Sequence, residues 1–291
     1  MESQKRRNEL IDNTEQLTYS TIRIEAELKN GSKSIGTGFC YRFAEGEKPG
    51  KWIPGLITNK HVVEGATSIK LSVSLADKSE RTKADDQNIV TVVYQTPKKY
   101  IVNHPKSNID LCAINLNLLI KELQESEELP FIYYIGKAEK FEDYELEKLD
   151  ALEDIIMIGY PNGIWDTYNN KPIIRNGCTA THPKKDYNGK KEIMVNIPSF
   201  GGSSGSPVFL VAIDGAKQPK PNMPILYPVL RVRLMGILYA GPVVNLDGEI
   251  IMSNDSFSRK VTTSATMNLG LIIKAEIIEE LENEFIKEIR L

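Results

Sequence analysis

Cysteine is scarce: Cys40, Cys112 and Cys178 are an odd number, widely spread and without a C-x-x-C pair. That excludes a disulfide framework, and the three side chains are expected as small buried hydrophobes in a reducing compartment. No cofactor and no metal ion is expected. No run approaches eighteen uninterrupted apolar residues, so a membrane-spanning helix is not expected. The first ten residues, MESQKRRNEL, lack the apolar core of a signal peptide. The expected location is therefore the cytoplasm. An excess of either charge is missing as well. The 36 Lys and Arg stand against 39 Asp and Glu, a formal net charge of −3. A nucleic-acid partner would need a concentrated basic face, and this balance does not suggest one. Internal repeats and low-complexity tracts are absent too.

What remains is globular in composition. The chain has 291 residues, 41% hydrophobic and 26% charged, which argues against wholesale disorder. A chain of this length buries about three quarters of the surface that its unfolded state exposes, so it needs no staples. Most of it alternates in period two. In residues 17–28, LTYSTIRIEAEL, Ile22, Ile24 and Ala26 fall on one face, the one expected inside. Short strand patterns follow at 35–41, 52–58, 68–75, 89–94 and 111–116, with turn-like stretches at 44–50 and 83–88. A second set occupies 155–159, 171–175, 191–197, 207–213, 229–240 and 265–272, with a loop-like stretch at 214–227. Many short strands with turn chemistry between them suggest sandwiches or barrels. The acidic, locally helical segment 117–153 reads as the crossing between two β-domains. From residue 272 onward, Ile273, Ile277, Ile278, Leu281, Phe285 and Ile289 recur at helical spacing, predicting a closing amphipathic helix. The expected organisation is a polar segment 1–17, loosely held, a first β-barrel 18–120, a connection 121–150, a second β-barrel 151–271 and a helix 272–291.

The densest chemical signal is FGGSSGSPVF, residues 200–209. Glycines there let the backbone turn sharply and aim amide N–H groups into one small space, as an oxyanion site requires. A phosphate-cradling loop would need Lys-Ser or Lys-Thr at fixed spacing, which does not follow. The segment also matches G-x-S-x-G with Ser203 as nucleophile, but that elbow needs a histidine later in the chain and a helix after the serine. His61, His104 and His182 all precede it, and a strand pattern follows. Ser204 is the other nucleophile. Its hydroxyl needs a base, and imidazole is suited to the task near neutral pH. His61 follows an apolar strand end and a polar turn, whereas His104 and His182 read as exposed turn residues. Asp110 is the candidate to orient the imidazole, a carboxylate interrupting the apolar run SNIDLCAINL. Asp85 and Asp86, among polar neighbours, read as solvated.

His61, Asp110 and Ser204 occur in the order found in chymotrypsin. With Thr58-Asn59-Lys60-His61-Val62-Val63, Asn108-Ile109-Asp110-Leu111 and the segment from Gly202 to Pro207, the sequence resembles the trypsin/chymotrypsin-like serine peptidases, especially bacterial and HtrA-like members. Gly36-Thr37-Gly38-Phe39, Gly159-Tyr160-Pro161 and Asn176-Gly177 look like further family landmarks, and the resemblance covers about residues 18–279. It implies an all-β fold of two antiparallel six-stranded barrels, chymotrypsin-like, with a C-terminal α-helix and a site in the inter-barrel cleft. It also implies an oxyanion hole from the backbone of Gly202 and Ser204. Substrate-binding walls would come from Pro198, Ser199, Phe200 and Gly201 and from Leu238, Tyr239, Ala240 and Gly241. Pro198 stands where a trypsin-like member carries an aspartate, which points to an apolar or small side chain before the cut bond, unless an acid such as Asp255 enters. Ser203 replaces the aspartate of the zymogen switch, so that switch is not expected, and Ser206 replaces a common glycine. The implied activity is serine endopeptidase on a protein or peptide substrate. The absent signal peptide and the loop-like stretches 44–50 and 214–227 lead to an expectation of restraint, by a regulatory protein partner, by oligomerisation or by a disordered cleft that orders on a cue. The length leaves no space for a PDZ domain. A catalytically silent peptide- or partner-binding relative and an esterase on the same scaffold are the competing readings.

Overall fold

Period-two alternation becomes sheet in the computed structural model, which describes residues 13–217, 227–251 and 258–289. A short helix, α1 (Asn13–Thr18), leads into β1 (Thr21–Leu28), β2 (Lys33–Lys48) and β3 (Lys51–Thr58). One helical turn, α2 (Lys60–Val63), precedes β4 (Ala66–Ala76), β5 (Ala84–Gln95), β6 (Ile101–Asn103) and β7 (Cys112–Asn115). These strands form one antiparallel sheet in the order β5-β4-β1-β2-β3-β7-β6. Ile22, Ile24 and Ala26 of β1 are buried in its core, as the alternation predicts.

The connection carries α3 (Asn117–Glu125) and α4 (Asp143–Lys148). Beyond it come β8 (Asp154–Gly159), β9 (Ile173–Thr179), β10 (Glu192–Asn196), β11 (Pro207–Lys217) and β12 (Tyr227–Ala240). Then follow β13 (Val243–Ile251), β14 (Ser258–Thr266) and β15 (Leu269–Lys274). Strands β10-β15-β12-β11-β8-β9 close into a barrel, and β13 pairs with β14 in a separate hairpin. The chain is thus mostly β, with a closed six-stranded barrel and a C-terminal helix, α5 (Ile278–Ile289). Its first unit is a seven-stranded sheet, with no ladder joining β5 to β6 among the described residues.

Among the described residues, apolar side chains fill three large volumes and a small fourth one around Tyr19, Ala76 and Phe131. One lies inside the first sheet around Ile24, Leu56 and Tyr94, and another inside the barrel around Met157, Val195 and Leu238. The third joins the halves: Phe39, Tyr41 and Phe43 of β2 meet Ile158, Phe209 and Ile237 of the barrel and Leu281 and Phe285 of α5.

Several sequence expectations change. Residues 44–48 continue β2, and Pro49 and Gly50 form a tight turn into β3; the polar stretch is a hairpin, not a connecting loop. Residues 84–88 likewise belong to β5. The single strand expected at 265–272 is the end of β14 and the start of β15, divided at Met267 and Asn268. Asp86 is not solvated in isolation: it pairs with Lys171 at 2.5 Å and accepts a hydrogen bond from the Tyr19 hydroxyl. His104 is buried, and His182 is half-buried. Cys40 and Cys112 are buried, and Cys178 is partly so. The polar residues 1–12, residues 218–226 of the stretch 214–227 and Asp255 lie outside the described residues.

Candidate active site

The imidazole is positioned from below by packing. Strand β3 ends at Thr58, and the turn of α2 buries Val62 and Val63 while leaving His61 exposed. Val62 packs onto Gly36 so closely that a Cβ there would lie 2.7 Å from its Cγ2. The glycine-rich start of β2 therefore exists to seat the helix turn that carries His61. Asp110 lies just before β7, partly buried, rather than within the strand. Its carboxylate accepts from the His61 backbone N–H at 3.2 Å and lies 2.5 Å from His61 Nδ1. One acid thus fixes both backbone and ring, and leaves Nε2 as the outward nitrogen. Asn59 secures the acid in turn, donating from Nδ2 to the Asp110 carbonyl at 2.7 Å. Lys60 ties down the neighbouring loop through the carbonyls of His104 and Lys106.

Ser204 sits on two consecutive tight turns. The Ser203 N–H donates to the Phe200 carbonyl at 3.0 Å, with Gly202 at φ +80° in the third position. The Ser206 N–H donates to the Ser203 carbonyl at 3.0 Å, with Gly205 at φ +86° in the third position. A turn of this pattern needs φ > 0 at its third residue, which explains why glycine recurs at an interval of three. The N–H groups of Gly202 and Ser204 donate to no described residue. A serine loop that leaves the N–H groups of two alternate residues unclaimed has donors available for a developing oxyanion.

Thr37 binds this loop to the histidine side. Its N–H donates to the Ser204 carbonyl at 2.8 Å, and its hydroxyl donates to the Gly202 carbonyl at 2.9 Å. The same hydroxyl accepts from the Tyr160 N–H, and the Thr37 carbonyl accepts from the Thr58 hydroxyl at 2.7 Å. Thr58 is three residues from His61. Ser204 and His61 are thus linked through Thr37 and Thr58, although their side chains form no hydrogen bond with each other here.

A family model of the trypsin-like peptidase domain matches residues 36–213, more than half of the chain. The chain belongs to the trypsin-like peptidases. No curated protein matches it by sequence. Among solved structures, it is similar to the HtrA-type protease AlgW with tripeptide, at 14% identity and a TM-score of 0.49, covering 94% of this chain and 62% of that one. A serine endoprotease from Yersinia pestis gives 12% identity and a TM-score of 0.46, over 94% of this chain and 65% of that one. The Rv3671c protease from M. tuberculosis, active form, gives 11% and 0.44, over 94% and 83%. The chain therefore spans less than two thirds of the length of the first two.

Within this trypsin-like domain, the expected substrate walls are distributed unevenly. Leu238 is buried in the barrel core, and its backbone pairs with the serine loop: the Gly205 N–H donates to its carbonyl, and its N–H donates to the Ser206 carbonyl. Tyr239 packs against the shared core, and burial together with Glu192, its hydrogen-bond partner, pushes its phenol well above the usual range. Ser199 is buried against Gly241, where an added Cβ would lie 2.8 Å from the serine Cβ. Pro198, Phe200, Gly202 and Ala240 remain partly accessible, and Gly201 is exposed. The hydroxyls of Ser203 and Ser206 are buried without a partner among the described residues.

Sequence reasoning missed two participants. Thr37 stands inside a landmark tetrapeptide, yet nothing in the chain pattern says that one threonine will serve both loops. Arg175 of β9 also reaches the expected substrate wall, donating from Nη1 to the Pro198 carbonyl at 2.5 Å. Its nearness to Pro198 depends on barrel closure, which strand patterning cannot convey.

Proposed function

We propose that the chain is a serine endopeptidase acting on protein or peptide substrates, with Ser204 as nucleophile, His61 as general base and Asp110 as orienting acid. The carrying observation is the doubly held histidine, fixed at ring and backbone by one carboxylate, on a framework that also anchors a serine loop with two unclaimed N–H groups. In this reading the Ser204 hydroxyl attacks the substrate carbonyl while His61 Nε2 takes its proton. Nδ1–H stays on Asp110, which stabilises the imidazolium. The N–H groups of Gly202 and Ser204 receive the carbonyl oxygen as it becomes negative. His61 then returns the proton to the departing amine, and water repeats the sequence on the acyl-enzyme. Catalytic hydrogen bonds are often long before substrate arrives, so the lack of a serine–imidazole hydrogen bond here is compatible with this reading.

A fluorophosphonate probe tests the assignment. Labelling of the native chain that disappears in Ser204→Ala, with peptide hydrolysis reduced about 10⁴-fold or more in His61→Ala, is the expected result. A folded chain that neither labels nor cleaves peptides would instead be a silent peptide-binding relative. Control by a regulatory protein partner and a cytoplasmic setting belong to the same proposal. Vigorous digestion of unfolded protein by the purified chain alone would contradict the control.

A further inference from the structure

Arg175 is an unusual residue for its place. In an antiparallel pair, directly opposite residues share a face of the sheet. Arg175 is opposite Met157, whose side chain lies in the barrel core, so the guanidinium belongs to the interior-facing side of β9. There it takes one hydrogen-bond acceptor, the Pro198 carbonyl, and covers the Phe200 ring with its carbon Cζ 4.9 Å from the centroid. Pro198 and Phe200 both belong to the segment that runs into the Gly202 turn. No carboxylate pairs with Arg175 among the described residues, and burial pulls its basicity below the ordinary arginine range. The side chain is only partly buried, so its other donors are not sealed in. A guanidinium presents five donors in a rigid fork, and one carbonyl and one ring face leave most of that fork unused.

We infer that Arg175 determines specificity by receiving a substrate carboxylate, the acidic side chain of the residue before the cut bond. The inference rests on the serine-peptidase reading and deepens it. Pro198 offers nothing to a basic side chain, and the charged side chain in contact with Pro198 and Phe200 is the Arg175 guanidinium. The other expected wall carries Glu192, the hydrogen-bond partner of Tyr239. An aspartate or glutamate entering beside Phe200 would complete the fork and relieve the unpaired charge. A neutral glutamine has the same shape but forfeits the charge-assisted bond. The C-terminal carboxylate of a peptide carries the same chemistry, so the source has to be separated by experiment.

The test compares kcat/KM for peptides blocked at both ends that differ only before the cut bond: Glu, Asp, Gln, Leu or Lys. A parallel arm uses the Leu peptide with a free C-terminal carboxylate at the cut position's downstream side. The expected result is a Glu-over-Gln preference of at least about tenfold. That preference should fall towards one in Arg175→Gln and reverse against Glu in Arg175→Glu. A strut that merely held Pro198 would slow all peptides together and leave the ratio untouched. Should either variant fail to fold, salt dependence of the native ratio serves instead, since a charge pair weakens with ionic strength and a shape preference does not. Equal cleavage of Glu and Gln peptides by a chain that labels with fluorophosphonate overturns the inference alone. So does a preference for the free C-terminus over the Glu side chain. Absence of both labelling and cleavage overturns the underlying reading with it.

Discussion

At the scale of single residues, Thr37 concentrates more of the site's geometry than any group the chemistry itself uses. Replacing it by the near-isosteric Val removes one hydroxyl and strands the Gly202 carbonyl and the Tyr160 N–H that it serves. Unsatisfied buried groups cost about 1–3 kcal/mol each, so Thr37→Val should lower denaturant stability by that order and reduce kcat more than KM, read by urea unfolding and peptide kinetics. Gly202 is the second such point. It combines φ +80° with a Tyr160 carbonyl 2.5 Å from where a Cβ would stand. Gly202→Ala should therefore shift the turn and with it the N–H proposed to receive the oxyanion. A fall in kcat of tenfold or more in a chain that still folds is the expected outcome, and unchanged kcat would remove Gly202 from the site. The sequence alone could nominate Ser204, His61 and Asp110 because the chemistry of those residue types is specific. It could not nominate Thr37, because a threonine in a strand has many ordinary reasons to be there.

At the scale of elements, α5 does more than close the chain. Phe285 stacks on Phe43 with centroids 4.0 Å apart, and the Glu282 carboxylate accepts from the Ala44 N–H. That second contact explains the misread hairpin. Between Phe43 and Lys48 the β2–β3 register shifts, with Ala44 and Gly46 at positive φ, and the distant helix satisfies the backbone that the irregularity frees. Glycine, proline and charge in residues 44–50 suggest a loop because the compensating partner is more than two hundred residues away. His104 is misread for the same reason. Its 3.8 Å approach to Glu280 of α5 accompanies near-complete burial, and desolvation depresses its basicity against the pull of that acid. Phe285→Ala should cost about 3–5 kcal/mol, seen as a lower midpoint in a single thermal transition, because the cavity opens in the core that both halves share. Two separated transitions, with only one moved, would show that the helix supports one half alone.

At the scale of the whole molecule, the connection is fastened to the barrel by a buried acid. Glu145 of α4 receives Arg233 through Nε at 2.7 Å and Nη2 at 2.9 Å, and Arg231 at 3.2 Å, all from β12. Burial by itself raises a carboxyl's pKa, but the hydrogen bonds from Arg233, the Glu142 N–H and Arg231 outweigh it and bring Glu145 from the ordinary 4.5 to about 2. A depressed folded pKa means stabilisation that is complete above the ordinary value and disappears as pH falls through the folded one. Thermal stability should accordingly drop between about pH 4.5 and 2, and Glu145→Gln should flatten that part of the profile while lowering stability at neutral pH. The sequence by itself determined the strand-rich class and the closing helix, and it supplied the three side chains of the proposed triad. Alternation, helical spacing and acid–base chemistry are local properties that each segment carries with it. Only the tertiary structure decided that the first sheet has seven strands, that Thr37 serves both loops, that α5 buries His104 and that Arg175 lies against Pro198. Those contacts join segments far apart in the chain, and the packing that selects them is settled only when all the elements compete for the same space.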